Sequence, residues 1–469
     1  MPPSNNASDA NIPPTSRLPL ELYAEIFEYL DNPSGVSMLQ TCRSIHLLCQ
    51  YVHYRSIDIY SPTLYQAVLR GSLLLATLLE RPDLATAVKE LTVGGMRSSR
   101  LNQTDNLSSN YSENEFREAL GLHHHSINHI PITFPTLKLG HPTLTTQYSL
   151  SHEFWLLLDL LPNLVILNLP IRGPMAMSLA FAALGMTTLD KPAALRHAQT
   201  LNLRRSSDDS SGGSARDFVA LFSLPDLKTL RVSGIADMGP DWRWEYFLEE
   251  QLWEHGESSV ENLHFKHCDF GPNLLATLLV LPRALRTLFY TQARKSTRHT
   301  PFGFDWDAFS SALRTHTTTI TSIDISTVTT HGHSIIIETI GTLESLREFL
   351  VLREVRLPAR ALLGPARESS PSDTDSPPSD PASLSLALPM SLVTLEIRLN
   401  WPWNLRYFMD RTSCPEGWPS EKRHLPALES FILRRIGGDD AARKAGKEVI
   451  DAFANAGIEV IPPLGNQAG

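Results

Sequence analysis

Leu227-Lys228-Thr229-Leu230-Arg231-Val232 is the stretch on which the fold turns. Leu230 and Val232 are apolar and two residues apart, with Arg231 between them, so an extended chain sends the leucine and valine to one face of a sheet and the arginine to the other. The same phrase, apolar-x-x-Leu-x-apolar, is spelled out at residues 88–93 and 164–169. It closes again in Leu201-Asn202-Leu203, Leu263-His264-Phe265, Leu288-Phe289-Tyr290, Ile323-Asp324-Ile325, Leu395-Glu396-Ile397 and Phe431-Ile432-Leu433, with a weaker copy over residues 346–351. From Leu167 onward successive copies stand roughly 25 to 46 residues apart, enough for a short strand and a return segment in each unit. Return helices are expected where Asp241 caps a run carrying Trp244, Phe247, Leu248 and Leu252, over residues 335–340, and from Asp439-Asp440 through Val449, Ile450 and Phe453 to a stop at Gly457. Residues 458–461 then offer a last strand.

The repeated phrase resembles a leucine-rich repeat, which implies an α/β solenoid with parallel strands on one side and helices on the other. Regular members of that family repeat every ~20–29 residues, so the longer intervals predict an irregular solenoid with inserted loops. A doubly wound α/β sheet is the competing architecture, since it also alternates strands and helices. No glycine-rich phosphate turn follows any copy of the phrase, as such a sheet commonly has.

Ahead of the repeats, Leu18-Pro19-Leu20-Glu21-Leu22 is followed by Ile26-Phe27 and Leu30. Pro19 suits the first turn of a helix, where an N–H can be spared, and Glu21 suits the positive end of the helix dipole. Leu22, Ile26, Phe27 and Leu30 recur at helical spacing and predict one apolar stripe. Residues 31–35 break the helix, and Val36, Leu39, Cys42, Ile45 and Leu48 continue the pattern on a second one. Helices this short do not bury two apolar faces alone and need a partner, the rest of the chain, or both.

The order Leu-Pro, Ile-Phe, Thr41-Cys42-Arg43 and Tyr54-Arg55 resembles the F-box, with Val36 and Thr41 departing from its usual leucine and valine. That resemblance implies a docking module for a Skp-type adaptor and, through it, a cullin–RING ubiquitin ligase. Carried onto this chain, it makes Leu18, Pro19, Leu22, Ile26, Phe27, Leu30, Leu39 and Cys42 the expected adaptor-binding residues. A plain N-terminal helical cap on a larger domain remains the alternative.

The organisation expected is a disordered tail over 1–16, an F-box-like helical module over 17–59, and the repeat domain over 63–463, with Ser-, Asn-, Asp-, Gly- or Pro-rich insertions near 97–115, 204–217 and 364–383. Ser370-Pro371 and Ser376-Pro377 in the last insertion are candidate phosphorylation sites. The chain of 469 residues is 42% hydrophobic and 19% charged, ordinary for a globular protein. Its first residues lack the charged and apolar regions of a secretory signal, and no apolar run reaches the ~20 residues that cross a bilayer. With 4 cysteines and no CxxC pair, reduced thiols in a cytoplasmic or nuclear protein are expected. A formal net charge of -9 argues against a general nucleic-acid surface.

No catalytic pattern emerges. His123-His124-His125 with His129, and His331 with His333, lack the spaced cysteine or carboxylate partners of a metal site. GxSxG, HExxH and Walker motifs are absent from the sequence. The expectation is a non-catalytic subunit without metal or cofactor. Its partners would be a Skp-type adaptor, the cullin–RING ligase and a protein substrate of unread identity. The substrate would meet the outward positions of the strands, among them Asn168, Asn202, Arg231, His264, Phe289, Asp324 and Glu396. An interaction scaffold without a ligase is the rival, and an α/β hydrolase is a further one that lacks its nucleophile motif.

Overall fold

The computed structural model describes residues 20–41, 43–60, 64–94, 157–171, 195–205, 219, 221–235, 257–292, 304–326, 339–343, 345–363, 387–399, 424–435 and 459–460. Within them the Leu phrases become strands. In chain order these are β1 (Ser56–Tyr60), β2 (Glu90–Gly94), β3 (Ile166–Ile171), β4 (Thr200–Arg205), β5 (Thr229–Ser233), β6 (Asn262–Cys268) and β7 (Thr287–Gln292). They continue with β8 (Phe304–Asp305), β9 (Ser322–Ser326), β10 (Thr339–Ile340), β11 (Glu354–Pro358), β12 (Thr394–Leu399), β13 (Ser430–Arg435) and β14 (Glu459–Val460). All but β8 and β10 form one open 12-stranded parallel sheet in which spatial order follows chain order without reversal. The α/β class is therefore shown.

Register is kept from unit to unit: Leu167 lies beside Leu201, Leu201 beside Leu230, Leu230 beside Leu263, and Leu263 beside Leu288. These central leucines are fully or almost fully buried, and with Ile323, Val355, Leu395 and Phe431 they run through one continuous core. At the start of β3 to β7, β9 and β11 to β13 a single carbonyl of the preceding unit accepts two consecutive N–H groups. Lys89 O takes those of Val165 and Ile166, Val165 O those of Gln199 and Thr200, and Gln199 O those of Lys228 and Thr229. The same device recurs through Lys228, Glu261, Arg286, Thr321, Arg353 and Val393. It satisfies the edge of each of these units from its neighbour, which is why a repeated phrase stacks in one register.

Helices return between some strands: α6 (Pro272–Val280) lies between β6 and β7, and α7 (Trp306–Leu313) between β8 and β9. Asp305 caps α7 by accepting from the N–H groups of Asp307 and Ala308, both at 3.0 Å. A short α8 (Ala359–Leu363) follows β11. Leu274, Leu278, Trp306 and Phe309 join the core beneath the strands.

Two expectations for this region change. Residues 346–351 are not a strand: Leu346–Glu348 form a 3-10 turn, and the strand begins at Glu354. Leu346, Phe349 and Leu352 are buried at intervals of three, the period of a tight helical turn, whereas Val355 and Leu357 alternate as a strand requires. Of the helix expected over 335–340, Thr339 and Ile340 instead pair with Phe304 and Asp305 as β10 and β8. The segments around Asp241 and 439–457, the tail, the insertions near 97–115 and 364–383 and the histidine clusters lie outside the described residues.

The N-terminal part contains α1 (Leu20–Glu28), α2 (Asn32–Leu39), α3 (Arg43–Arg55), α4 (Leu64–Glu80) and α5 (Pro82–Ala87). The break after α1 is narrower than expected, because Asn32 to Gly35 already belong to α2. Asp31 Oδ1 accepts from the N–H of Ser34 at 3.0 Å to cap it. The single second helix expected from Val36 to Leu48 is two, since α2 closes at Gln40, whose N–H donates to Val36 O and Ser37 O. Nor does the module over 17–59 stand apart: β1 pairs in register with β2 from Ser56–Glu90 to Tyr60–Gly94, and α3 packs on β1 and α5. Among the described residues, no helix is long and apolar enough to cross a membrane.

Candidate functional site

Two surfaces carry the residues singled out above. The first is the outer side of α1–α3. Leu22 and Ile26 are 38% and 43% exposed and share one face of α1, and Tyr29, in the turn that follows, is exposed as well. Val36 on α2 and Leu47 and Tyr51 on α3 are exposed as well. Tyr51 keeps its polar tip occupied, donating to Asp83 Oδ2 at 3.0 Å, and the Arg81 guanidinium beside Asp83 helps hold that carboxyl down at about 2.

Phe27, expected among the adaptor-binding residues, is corrected by its burial: it is 6% exposed and belongs to the interior of the helical module. Consecutive helical residues differ by about 100° around the axis, so Ile26 and Phe27 cannot both lie at the centre of one stripe. Phe27 meets the His53 ring edge-on at 5.9 Å and lies over Gly35, where an added Cβ would come within 3.1 Å of the phenyl ring. Burial lowers the pKa of His53. Phe27 and Cys49 are both buried yet stand outside the core cluster under the sheet. Leu30 and Leu39 are half-buried, and Leu18, Pro19 and Cys42 lie outside the described residues.

The second surface is the outward face of the sheet. Parallel register brings Thr92, Asn168, Asn202, Arg231, His264, Phe289, Asp324, Arg356 and Glu396 into one row across nine strands. At its start the row is an amide ladder. Asn168 Nδ2 donates to Thr92 Oγ1 at 2.7 Å, Asn202 Nδ2 donates to Asn168 Oδ1, and Arg231 Nη1 donates to Asn202 Oδ1 at 3.3 Å. In the middle, His264 and Phe289 stack with ring centroids 6.0 Å apart. Burial and then the nearby Arg231 charge lower the pKa of His264, keeping the ring neutral. Phe289 is half-buried, less open than its outward position implied.

At its end the row becomes a buried ion cluster. Arg398 donates through Nη1 to Asp324 Oδ1 at 2.7 Å and through Nε to Glu396 Oε1 at 2.8 Å. Arg356 approaches Asp324 at 3.4 Å and Glu354 at 3.7 Å. Asp324 and Glu396 are only 7% and 2% exposed, so these two expected substrate contacts are corrected: Glu396 is held by Arg398 of its own strand, and Asp324 by Arg398 two strands away and Arg356 of the strand between. The sequence does not single out Arg356, because the apolar run at 346–351 draws the expected strand away from it, nor Arg398, which directly follows the last apolar residue of its Leu phrase.

Within the described residues no three His, Cys, Asp or Glu side chains converge as a metal site requires. Cys268 is enclosed, and burial pushes its thiol up to about 12, far from a nucleophile's range. Compared with known proteins, the chain matches no protein-family model and no curated protein.

Proposed function

We propose that the chain is the substrate-recognition adaptor of a cullin–RING ubiquitin ligase. In this reading α1–α3 are an F-box that docks on a Skp-type adaptor, and the sheet is an irregular leucine-rich-repeat-like solenoid whose outward face selects a protein substrate. The observation that carries it is the position of Leu22 and Ile26: α1 buries Phe27 on one side and still presents apolar side chains to solvent on the other. Chain-order stacking of strands, without the reversal of a doubly wound sheet, supports the repeat half. The chain would contribute proximity, raising the effective concentration of substrate lysines near a charged conjugating enzyme, while other subunits perform the transfer.

Affinity capture of the full chain from cells tests the assignment. Wild type is expected to bring down a Skp-type adaptor and a cullin, and Leu22→Ser with Ile26→Ser is expected to bring down neither at unchanged protein abundance. Capture of both by the double variant removes the site. Capture by neither form favours the rival scaffold, which draws support from α3 packing on β1 and α5 as an end-cap would.

A further inference from the structure

Arg204, Arg231 and Lys266 come from three adjacent strands, β4, β5 and β6, and all three are exposed. Arg204 lies beside Ser233, Ser233 beside Lys266, and Arg231 one row away between Asn202 and His264. Strand alternation puts all three on the outward face: the burial of Leu201, Leu203, Leu230, Val232, Leu263 and Phe265 fixes the inward positions between them. None of the three forms an ion pair with a described carboxylate. By contrast Glu261, at the edge of the sheet, is already held by Lys228 at 3.1 Å and Arg286 at 3.0 Å, and Asp324 by Arg398. A chain of net charge -9 thus places three cations without an ion pair to any described carboxylate beside the His264–Phe289 stack. Arg204 lies in β4 and not in the insertion expected to open there, so the cluster comes from register alone.

We infer that Arg204, Arg231 and Lys266 receive an extended peptide segment rich in aspartate and glutamate, an apolar side chain of which rests against His264 and Phe289. The inference deepens the substrate-selecting half of the proposed function and rests on that half, not on the adaptor-docking helices. Spacing favours carboxylates spread along a chain over one phosphate. Adjacent strands lie about 4.8 Å apart, so the outer cations are separated by about 10 Å, and carboxylates at alternate positions of an extended peptide, about 7 Å apart on one face, reach both cations through their flexible side chains. Arginine forks match carboxylates two bonds at a time, and stacked rings accept an apolar neighbour. A nucleic acid would also supply repeated anions, but three cations on an acidic chain neutralise too few phosphates to hold one at physiological salt.

The test is fluorescence anisotropy on the purified full chain with a short labelled peptide carrying Asp or Glu at alternate positions and one central Phe. Binding is expected, weakening between about 50 and 200 mM salt. The triple variant Arg204→Glu, Arg231→Glu, Lys266→Glu should lose about tenfold or more in affinity, with an unchanged thermal unfolding profile. Should that variant misfold, Arg231→Ala alone is expected to lose severalfold. Phe289→Ala should weaken binding of the Phe-containing peptide and leave binding of its Gly counterpart unchanged. The inference is overturned if wild type ignores the acidic peptide, if the Asn/Gln counterpart binds equally, if the charge variants bind as wild type, or if a singly phosphorylated Asn/Gln peptide or an oligothymidylate binds more tightly. Adaptor capture in the same preparations reports separately on the docking helices.

Discussion

The sheet and the helical module spend their apolar residues in opposite ways. Across the sheet, Leu91, Leu167, Leu201, Leu230 and Leu263 are all wholly buried, each sealed by the next unit. In α1–α3, Phe27 and Cys49 are buried, while Leu22, Ile26, Tyr29, Val36 and Leu47 stay exposed. A repeat closes its surface against its own neighbour. In the three short helices α3 packs on β1 and α5, while among the described residues these apolar side chains stay open, and on the proposed reading that open side is where the adaptor docks.

The contrast is tested most severely at the buried charges. Removing Arg398 as Arg398→Ala strands Asp324 and Glu396 without their closest cation, and is expected to cost about 3–5 kcal/mol of stability by urea titration. A loss below about 1 kcal/mol would mean that the cluster is solvated and its carboxylates available for binding after all. Leu263→Ala opens a cavity in the sealed column and should cost about 3 kcal/mol in the same titration. Phe27→Leu keeps an apolar side chain at a buried position and should cost about 1 kcal/mol, read as faster hydrogen exchange confined to α1–α3.

A smaller effect should appear with pH. His316 is buried, donates through Nε2 to Leu279 O at 2.7 Å, and has its pKa lowered from 6.5 by burial, against which the backbone bond acts. The unfolded state therefore binds the proton more readily. The contribution of neutral His316 is complete above about pH 6.5 and is lost as pH falls from there through the lowered native value. His53 and His264 are lowered by burial too and add in the same direction. The melting temperature should fall from pH 7 to pH 5, and His316→Gln should flatten that slope. At the far end of the scale, Leu22→Ser and Ile26→Ser should each cost about 1 kcal/mol or less, because the two side chains are already 38% and 43% exposed.

What the sequence could disclose follows the range of the interactions. Leu230 and Val232, two residues apart with a polar neighbour between, announce a strand by themselves, and so do their counterparts in most units. Residues 346–352 deceive because period three and period two both place apolar side chains within a short window. Ile26 and Phe27 look like one stripe until a helix axis separates them. The pairing of Asp324 with Arg398 joins residues 74 apart in sequence, and the grouping of Arg204, Arg231 and Lys266 depends on register across three strands. Neither arrangement leaves a local trace.

The central claim, that the open side of α1 grips another polypeptide, is tested most directly by titrating the purified full chain with a purified Skp-type adaptor in a calorimeter. The account predicts saturable binding by wild type, with the negative heat-capacity change of apolar burial, and its loss in the Leu22→Ser, Ile26→Ser variant. Absence of binding by wild type, or equal heat from the variant, would contradict it.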